Sequence, residues 1–252
     1  MVSSIYFAAA LFSSRETLFN YELAERLKKA LGSKVRVFLP QRDGFEFSAL
    51  GAALSSRLPE QHVASAVNTI IYTLDIGGFL SRSDAAVAVL DEPLDEGVLV
   101  EISYARLLGI PVVGIRSDRR APFGVPGDAL GGIHFFAAYQ CTHFVTASVA
   151  QQPIELEPLV QTVAETLKSG GRIERKVVDA MLDRATQQLF KNVDIVNGDL
   201  HSEETLSRIV DNYAARPDLF ERLAPRITSC EPGRANRDLL LAQAARGADS
   251  AR

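Results

Sequence analysis

The chain has 252 residues, of which 47% are hydrophobic, and its formal net charge at pH 7 is −4. That length and apolar content suit one ordinary globular domain with a substantial appendage. The acidic charge disfavours a nucleic-acid partner, and no apolar run approaches the roughly 18 residues that span a bilayer, so we expect a cytoplasmic protein that binds a small ligand and no membrane.

The N-terminal part of the sequence predicts a β-α-β unit. Apolar runs at Ile5–Ala9 and Val35–Leu39 are typical of strands. Between them, Ser13 and Glu16 form a capping-box pattern, in which two side chains bind free backbone amides at the start of a helix. We expect that helix to run to about Leu31.

The middle of the chain predicts a third strand between helices. Gln41–Leu58 contains several small residues and is predicted to be less regular, whereas helices are expected within Glu60–Leu74 and around Ile76–Arg82. Ala85–Leu90 is a continuous apolar run, which is typical of a parallel strand covered on both faces. The next helix is expected to end at about Leu108.

Two more strands complete an alternating pattern. Pro111–Ile115 is the fourth predicted strand, and a segment near Thr142–Val145 is the fifth. Alternating strands and helices favour an α/β fold with a doubly wound, flavodoxin-like sheet of five parallel strands. Ligands of such sheets bind beyond the carboxyl ends of the strands.

From Pro153 onwards the pattern is helical only. The predicted helices are Ile154–Lys168, Val177–Phe190 and two shorter ones between Ser202 and Leu223. We therefore expect an α/β domain in residues 1–150 and a helical C-terminal extension in residues 151–252, with an end after Pro232 that is frayed or disordered. The extension could cover a sheet edge, build an oligomer interface or form a lid, and the sequence leaves these alternatives open.

Acidic residues gather at the predicted ligand edge of the sheet. Asp91 and Asp95 follow the third strand, and Glu101 lies on the helix that starts there. Helix capping is the alternative to catalysis for the two aspartates, because the helix dipole favours acids at that position. Apolar neighbours would bury Glu101 and raise its pKa, unless its carboxylate reaches solvent beside Arg106. Paired carboxyl groups of this kind can attack an anomeric carbon and protonate a leaving base.

A longer pattern surrounds these acids, from about Ile5 to Phe144. Its pieces, in order, are Ile5–Phe12, Leu39–Gln41, Asp75 ahead of Ser83–Asp84, Leu90–Asp91, Asp95–Gly97, Glu101–Ala105 and Gly109–Gly114. In order and spacing, the pattern resembles the nucleoside 2-deoxyribosyltransferases, a family within the superfamily of N-deoxyribosyltransferases and nucleotide N-glycosidases. The resemblance implies that residues 1–150 are a catalytic domain that moves deoxyribose between nucleobases.

The resemblance also implies roles for individual residues. Glu101 would be the nucleophile at C1′, and Asp75 and Asp95 would hold the base and supply its proton. Tyr6 would orient the Glu101 carboxylate, and Gln41 would contact the nucleobase edge. The residues alone leave strand filling open for Tyr6 and a strand-end hydrogen bond open for Gln41.

Four further residues are assigned to the substrate site: Phe12, Asp91, Ser13 and His134. Asp91 is also compatible with a strand-end turn. His134 lies in the stretch where a neighbouring subunit of the family commonly contributes an asparagine to the sugar, so His134 or nothing would take that task. The implied assembly is a homo-oligomer, a dimer or larger.

Two alternatives to the transferase remain open. Ser13, Ser14 and Arg15 at a helix start can form an anion site, which would make the substrate a nucleoside 5′-monophosphate and water the acceptor, although an ordinary capping box uses the same residues. Ala8–Ala10 replace a loop that usually contains glycine, and together with the helical extension they leave a non-catalytic nucleotide sensor as the third hypothesis.

No cofactor or metal is predicted. Cys141 and Cys230 are far apart and outside any metal-ligand spacing, so we expect two free thiols. The four histidines are also scattered along the chain. The expected partners are therefore small molecules: a nucleoside or nucleotide and a free nucleobase.

Overall fold

A computed structural model describes residues 2–118, 120, 130, 132–146, 156–169 and 180–221. Five parallel strands form one sheet in the order β2-β1-β3-β4-β5. The strands are β1 Ser4–Ala8, β2 Arg36–Phe38, β3 Ala85–Val89, β4 Val112–Arg116 and β5 His143–Thr146. This order is that of a flavodoxin-like fold, which confirms the predicted fold class.

Helices cover both faces of the sheet. They are α1 Ser14–Leu31, α2 Pro40–Asp43, α3 Phe47–Ser55, α4 Glu60–Tyr72, α5 Glu96–Leu107, α6 Phe135–Ala138, α7 Leu156–Ser169, α8 Ala180–Leu189, α9 Glu203–Ala215 and α10 Pro217–Glu221. One apolar core joins α1 and α7 to the strand residues Ile5 and Phe7. The other core joins the remaining long helices to Tyr6 and Ala8, because successive side chains of a strand point to opposite faces.

The predicted start and end of the first helix are confirmed. Ser13 and Glu16 form a reciprocal capping box, in which Ser13 N donates to Glu16 Oε2 at 2.8 Å and Glu16 N donates to Ser13 Oγ at 3.3 Å. Gly32 ends the helix with a φ of 112°, a conformation that favours glycine. These local signals set where the chain leaves β1 and where it enters β2.

The prediction that Gln41–Leu58 is irregular is wrong, because α3 and most of α2 lie within this stretch. Glu46 caps α3 by accepting hydrogen bonds from the amides of the next turn, and Leu50 and Leu54 are buried one turn apart. Several small residues between them obscured the helical periodicity.

The helix around the predicted boundary at Ile76 also differs from expectation. Instead of two separate helices, α4 continues without a break into a π-helical segment, Thr73–Phe79, and then into a 3₁₀ turn, Leu80–Arg82. The whole stretch Glu60–Arg82 is long and apolar enough to cross a membrane, but 61% of its most apolar window is buried inside the protein, as in a core helix. It is the one such stretch within the described residues.

The helices that follow β5 in the chain lie on both sides of the sheet. α7 packs against α1, whereas α8 packs against the π-helical segment and α9 packs against α3. Two short helices between Ser202 and Leu223 are confirmed as α9 and α10. The predicted boundary at residue 150 and the predicted frayed end after Pro232 lie outside the described residues, and both stay predictions.

Gly114 in β4 provides a test of how tightly the sheet is packed. A Cβ atom there would lie 2.6 Å from Cys141 Sγ and 3.0 Å from Phe144 Cδ2. We expect Gly114→Ala to lower the free energy of unfolding by roughly 1–3 kcal/mol, measured by urea denaturation. The matched control is Gly51→Ala, because a Cβ on Gly51 meets nothing within 4 Å in α3 and should stabilise the helix by up to about 1 kcal/mol. Equal stabilities for Gly114→Ala and wild type would contradict this packing.

Candidate active site

Tyr6 and Glu101 meet on the face of the sheet that α5 covers. Tyr6 lies on β1 and is fully buried, and its hydroxyl donates a hydrogen bond of 2.6 Å to Glu101 Oε1. α5 buries Val98, Ile102 and Ala105, so Glu101 lies beside the apolar stripe that anchors this helix. No described residue is recorded as a partner of Glu101 Oε2, which leaves that oxygen available to a ligand.

The π-helical segment supplies a second acid to the same place. Asp75 lies in this segment between the buried residues Leu74 and Ile76. Its charge acts on both Tyr6 and Glu101. π-Helical geometry is rare and is found frequently at functional sites, because it redirects a side chain within a helix.

Burial controls the protonation of these groups. It raises the pKa of Asp75 from 3.8 to about 7. Burial also raises the pKa of Glu101 from 4.5 to about 8, with smaller contributions from the charges of Asp75 and Asp95, while the hydrogen bond from Tyr6 acts in the opposite direction. The pKa of Tyr6 is raised well above its usual value, first by burial and then by the charge of Glu101. Tyr6 therefore remains a hydrogen-bond donor, and each of the two carboxyl groups gains or loses its proton near neutral pH.

Asp95 and Asp91 lie at the carboxyl end of β3 and have different surroundings. Asp95 is the N-cap of α5, and its Oδ1 accepts a hydrogen bond of 2.9 Å from Val98 N. Asp91 accepts hydrogen bonds from Ser117 N at 2.8 Å, from the Ser117 hydroxyl and from Asp118 N at 3.0 Å. Asp91 thus ties the end of β3 to the end of β4, and its charge is not among those that shift the pKa of Glu101.

A cleft of about 510 Å³ opens at the carboxyl edge of the sheet. Its lining residues are Ala10, Ser13, Arg15, Glu16, Phe19, Asn20, Val89, Asp91, Glu92, Pro93, Asp95, Ser117 and Arg120. The lining holds four carboxylates against two guanidinium groups, and one of these, Arg120, already pairs with Asp118 at 2.6 Å. The cleft is therefore net negative, which favours a neutral or cationic ligand over an anion.

Gln41 is held in place by the helix α1. Its Nε2 donates to Thr17 O at 2.7 Å, and its Oε1 accepts from Asn20 Nδ2 at 3.1 Å. Asn20, which was not predicted as a site residue, is only 2% exposed and also donates to Ala10 O at 2.8 Å. An asparagine in line with the apolar stripe of an amphipathic helix was the available signal, because a buried amide needs partners.

The remaining predicted substrate residues are less enclosed. Phe12 is 81% exposed in the loop between β1 and α1, and Ser13 is engaged in the capping box. His134 precedes α6, where its Nδ1 accepts a hydrogen bond of 3.2 Å from Phe136 N. The structure brings Tyr6 and Glu101 into direct contact, and it places these three residues in other surroundings.

A buried arginine behind the cleft was also missed. Arg116 at the end of β4 is 1% exposed and donates hydrogen bonds to Leu90 O and Arg120 O, with Glu92 Oε1 at 3.7 Å. Its cation lies next to the acidic edge and partly offsets the charge there. Arg116 was not predicted because it follows an apolar strand, and nothing in the local sequence indicates which carbonyl groups it would bind.

Neither cysteines nor acids assemble into a metal site within the described part of the chain, where no group of three or more such ligands converges. Cys141 is a free thiol, and burial raises its pKa to about 12. Cys230 lies outside the described residues.

Comparisons with known proteins identify a family for the chain. The sequence model of the family described as nucleoside 2-deoxyribosyltransferase matches residues 5–165, which is more than half of the chain. Among solved structures, the chain is similar to a conserved protein from Enterococcus faecalis V583, with 25% sequence identity, a TM-score of 0.44, and coverage of 67% of this chain and 98% of that one. No curated protein matches the chain.

Replacing Glu101 by glutamine should change how stability depends on pH. Because the pKa of Glu101 is raised from 4.5 to about 8, the folded protein keeps a proton in that range that the unfolded chain releases. The free energy of unfolding of wild type should therefore fall as pH rises through this window. Glu101→Gln should be more stable than wild type by roughly 1–3 kcal/mol above the window, and the gain should vanish below it, as measured by urea denaturation across pH.

The matched control for this measurement is Glu165→Gln, because Glu165 is exposed on α7. It should leave the pH dependence of wild type unchanged. If the free energies of unfolding of Glu101→Gln and wild type run parallel across pH, Glu101 is not held in a poorly solvated place.

Proposed function

Because the chain belongs to the nucleoside 2-deoxyribosyltransferase family, a family of glycosyltransferase-type enzymes, we propose that it moves a 2-deoxyribosyl group from a nucleoside to another nucleobase through a covalent Glu101 intermediate. The observation that carries this function is the 2.6 Å hydrogen bond from Tyr6 to Glu101 Oε1. It fixes one carboxylate oxygen and leaves the other for attack on C1′.

The first half of the reaction breaks the bond between the sugar and the base. Glu101 attacks C1′ as a carboxylate, and the electron pair of the C1′–N bond passes to the base nitrogen. Asp75 donates a proton to that base, and Asp95, at the start of α5, holds the base through its second carboxylate oxygen. An ester between Glu101 and C1′ results, as in retaining glycosyl transfer.

The second half reverses these steps with another base. A nitrogen of the acceptor base attacks C1′, Glu101 leaves as a carboxylate, and Asp75 accepts the proton that the acceptor nitrogen loses. Gln41 contacts the base edge, since its amide is oriented by Thr17 and Asn20 and keeps hydrogen-bonding capacity on both of its polar atoms. Phe12, exposed in the loop between β1 and α1, covers the base once it is bound.

The first half requires charge on Glu101 and a proton on Asp75, and the second half begins with Glu101 as an ester and Asp75 as a carboxylate. Burial favours the neutral form of both groups, so the pair retains protons near neutral pH. Tyr6 donates its hydrogen bond to Glu101 and so lowers the pKa of the nucleophile, although that pKa, about 8, remains above the value of about 7 for Asp75. The reactive form of the pair has its proton on Asp75, and the hydrogen bond from Tyr6 stabilises that form.

The subunit arrangement of the proposed enzyme involves the surface around α6. Phe136 and Tyr139 are 65% and 61% exposed there, next to His134. Large exposed apolar side chains of this kind favour contact with a second copy of the chain. We therefore include a homo-oligomer in the proposed function, with His134 directed toward the sugar site of a neighbouring subunit.

Product analysis tests the transfer reaction directly. Incubation of the protein with a deoxynucleoside and a different free base should yield a new nucleoside, and mass spectrometry of quenched protein should show a deoxyribosyl adduct on Glu101. Glu101→Gln preserves size and an acceptor for Tyr6, yet should lower kcat/KM by roughly 10³-fold or more because it removes the nucleophile.

The matched control is Glu96→Gln, since Glu96 is exposed on the same helix and should retain activity. Free sugar formed without acceptor base would support a hydrolase instead. Nucleoside binding without turnover in wild type would support a nucleotide sensor and contradict both enzymes.

Hydrolysis of a nucleoside 5′-monophosphate is the second candidate function. Arg15 favours it, because this exposed guanidinium lines the cleft and has no recorded ion-pair partner among the described residues. The four carboxylates of the same lining oppose it, since they repel a phosphate.

A comparison of phosphorylated and unphosphorylated substrates separates the two candidates. We expect kcat/KM to be roughly tenfold or more higher for a deoxynucleoside than for its 5′-monophosphate, because the cleft is net negative. Arg15→Ser should change the nucleoside reaction little, as should Arg26→Ser, the control on the same helix outside the cleft. The choice of a neutral substrate would be overturned if wild type preferred the monophosphate. In that case Arg15→Ser would abolish the preference and Arg26→Ser would preserve it.

A further inference from the structure

A second cleft of about 490 Å³ lies at the opposite edge of the sheet, where the strands begin. Ser4 starts β1, Arg36 starts β2, and Arg82 precedes β3, and all three residues line this cleft. Lys28 from the end of α1 and Lys34 from the following loop also line it. The size suits a small molecule, since ligand pockets commonly have volumes of about 300–1,000 Å³.

The charge of this second cleft is opposite to that of the chain as a whole. Its lining holds four cationic side chains and no carboxylate, in a protein whose formal net charge is −4. The cationic residues are Lys28, Lys34, Arg36 and Arg82. Four cations around one concave surface concentrate positive potential, which attracts anions.

The acids near the cleft account for only part of this charge. Arg36 is balanced by Asp43, whose Oδ1 lies 3.7 Å from Arg36 Nη2, and by the charge of Asp194. The amide and hydroxyl groups of Ser3 and Ser4 donate hydrogen bonds to Asp84, which keeps its negative charge next to these lining residues. Lys28, Lys34 and Arg82 outnumber this one carboxylate, and none of the three has an ion-pair partner among the described residues.

We propose that this cleft binds a phosphorylated small molecule through Lys28, Lys34 and Arg82, at a site separate from the acidic cleft. A phosphate group offers several acceptor oxygens to these donors, and charge-assisted hydrogen bonds of this type are the strong ones. The inference does not depend on the proposed transferase activity, because the cleft shares no lining residue with the acidic one.

The helical extension contributes to the same site. Val196 and Asn197, which follow α8, line the cleft. Their neighbour Ile195 packs against Gly78 in the π-helical segment, where a Cβ atom on Gly78 would lie 3.2 Å from Ile195 Cδ1. A bound anion therefore touches the sheet and the extension together, and its binding should stabilise the contact between them.

Isothermal titration of the full chain with inorganic pyrophosphate tests the site. We expect saturable binding of one pyrophosphate per chain, and binding weaker by roughly tenfold or more in Lys34→Ser and in Arg82→Ser. Lys29→Ser is the matched control, because Lys29 is exposed next to Lys28 but does not line the cleft, and it should bind as wild type does. A parallel titration with a nucleoside 5′-diphosphate identifies the source of the phosphate. Tighter binding of the nucleoside diphosphate than of pyrophosphate would indicate a nucleotide ligand. Equal binding of the two would indicate that the site recognises inorganic phosphate groups alone.

Three outcomes would overturn this assignment. The first is the absence of saturable pyrophosphate binding to wild type. The second is pyrophosphate binding that is weakened equally in Lys29→Ser and Arg82→Ser. The third is pyrophosphate binding that is weakened in Arg15→Ser but not in Arg82→Ser, which would place the anion in the acidic cleft. Because Lys34 and Arg82 are both exposed, the variants should keep the melting temperature of wild type without ligand. If one variant unfolds, the other carries the test.

Discussion

A carboxyl group held away from water is the constraint on which the rest of the site depends. Glu101 needs a helix that starts at the carboxyl end of β3, and Asp95 caps that helix. It also needs a donor, which β1 supplies as Tyr6 because this residue faces α5 and not α1. Asp75, which is half-buried, then adds a second acid with a raised pKa. Each group is unfavourable for folding by itself, so the packed sheet and helices must stabilise the set as a whole.

Charge is divided between the two ends of the sheet. All five strands are parallel, so every strand begins at one edge and ends at the other. The edge where strands end carries acids, with Arg116 buried behind them, and the edge where strands begin carries lysines and arginines. A small net charge for the chain therefore conceals two clefts whose lining charges have opposite sign. An anion is consequently repelled at the first edge and attracted at the second.

Much of the fold was predictable because its signals are local. The continuous apolar run of β3 and the capping box at Ser13 depend on neighbouring residues, and both are confirmed. Asn20 and Arg116 were missed because their partners are carbonyl and amide groups that tertiary folding brings close. The π-helical segment was missed for a related reason, since its sequence is compatible with an α-helix and surrounding contacts select the wider turn.

The π-helical segment makes the direction of Asp75 depend on chain length. An α-helix turns by about 100° per residue, so loss of one residue between α4 and Asp75 would rotate the acid away from Glu101 by about that angle. A substitution nearby alters side-chain contacts, whereas a deletion alters the angle at which Asp75 leaves the helix axis. The number of residues between α4 and Asp75 is therefore as much a requirement of this site as the identity of the acid.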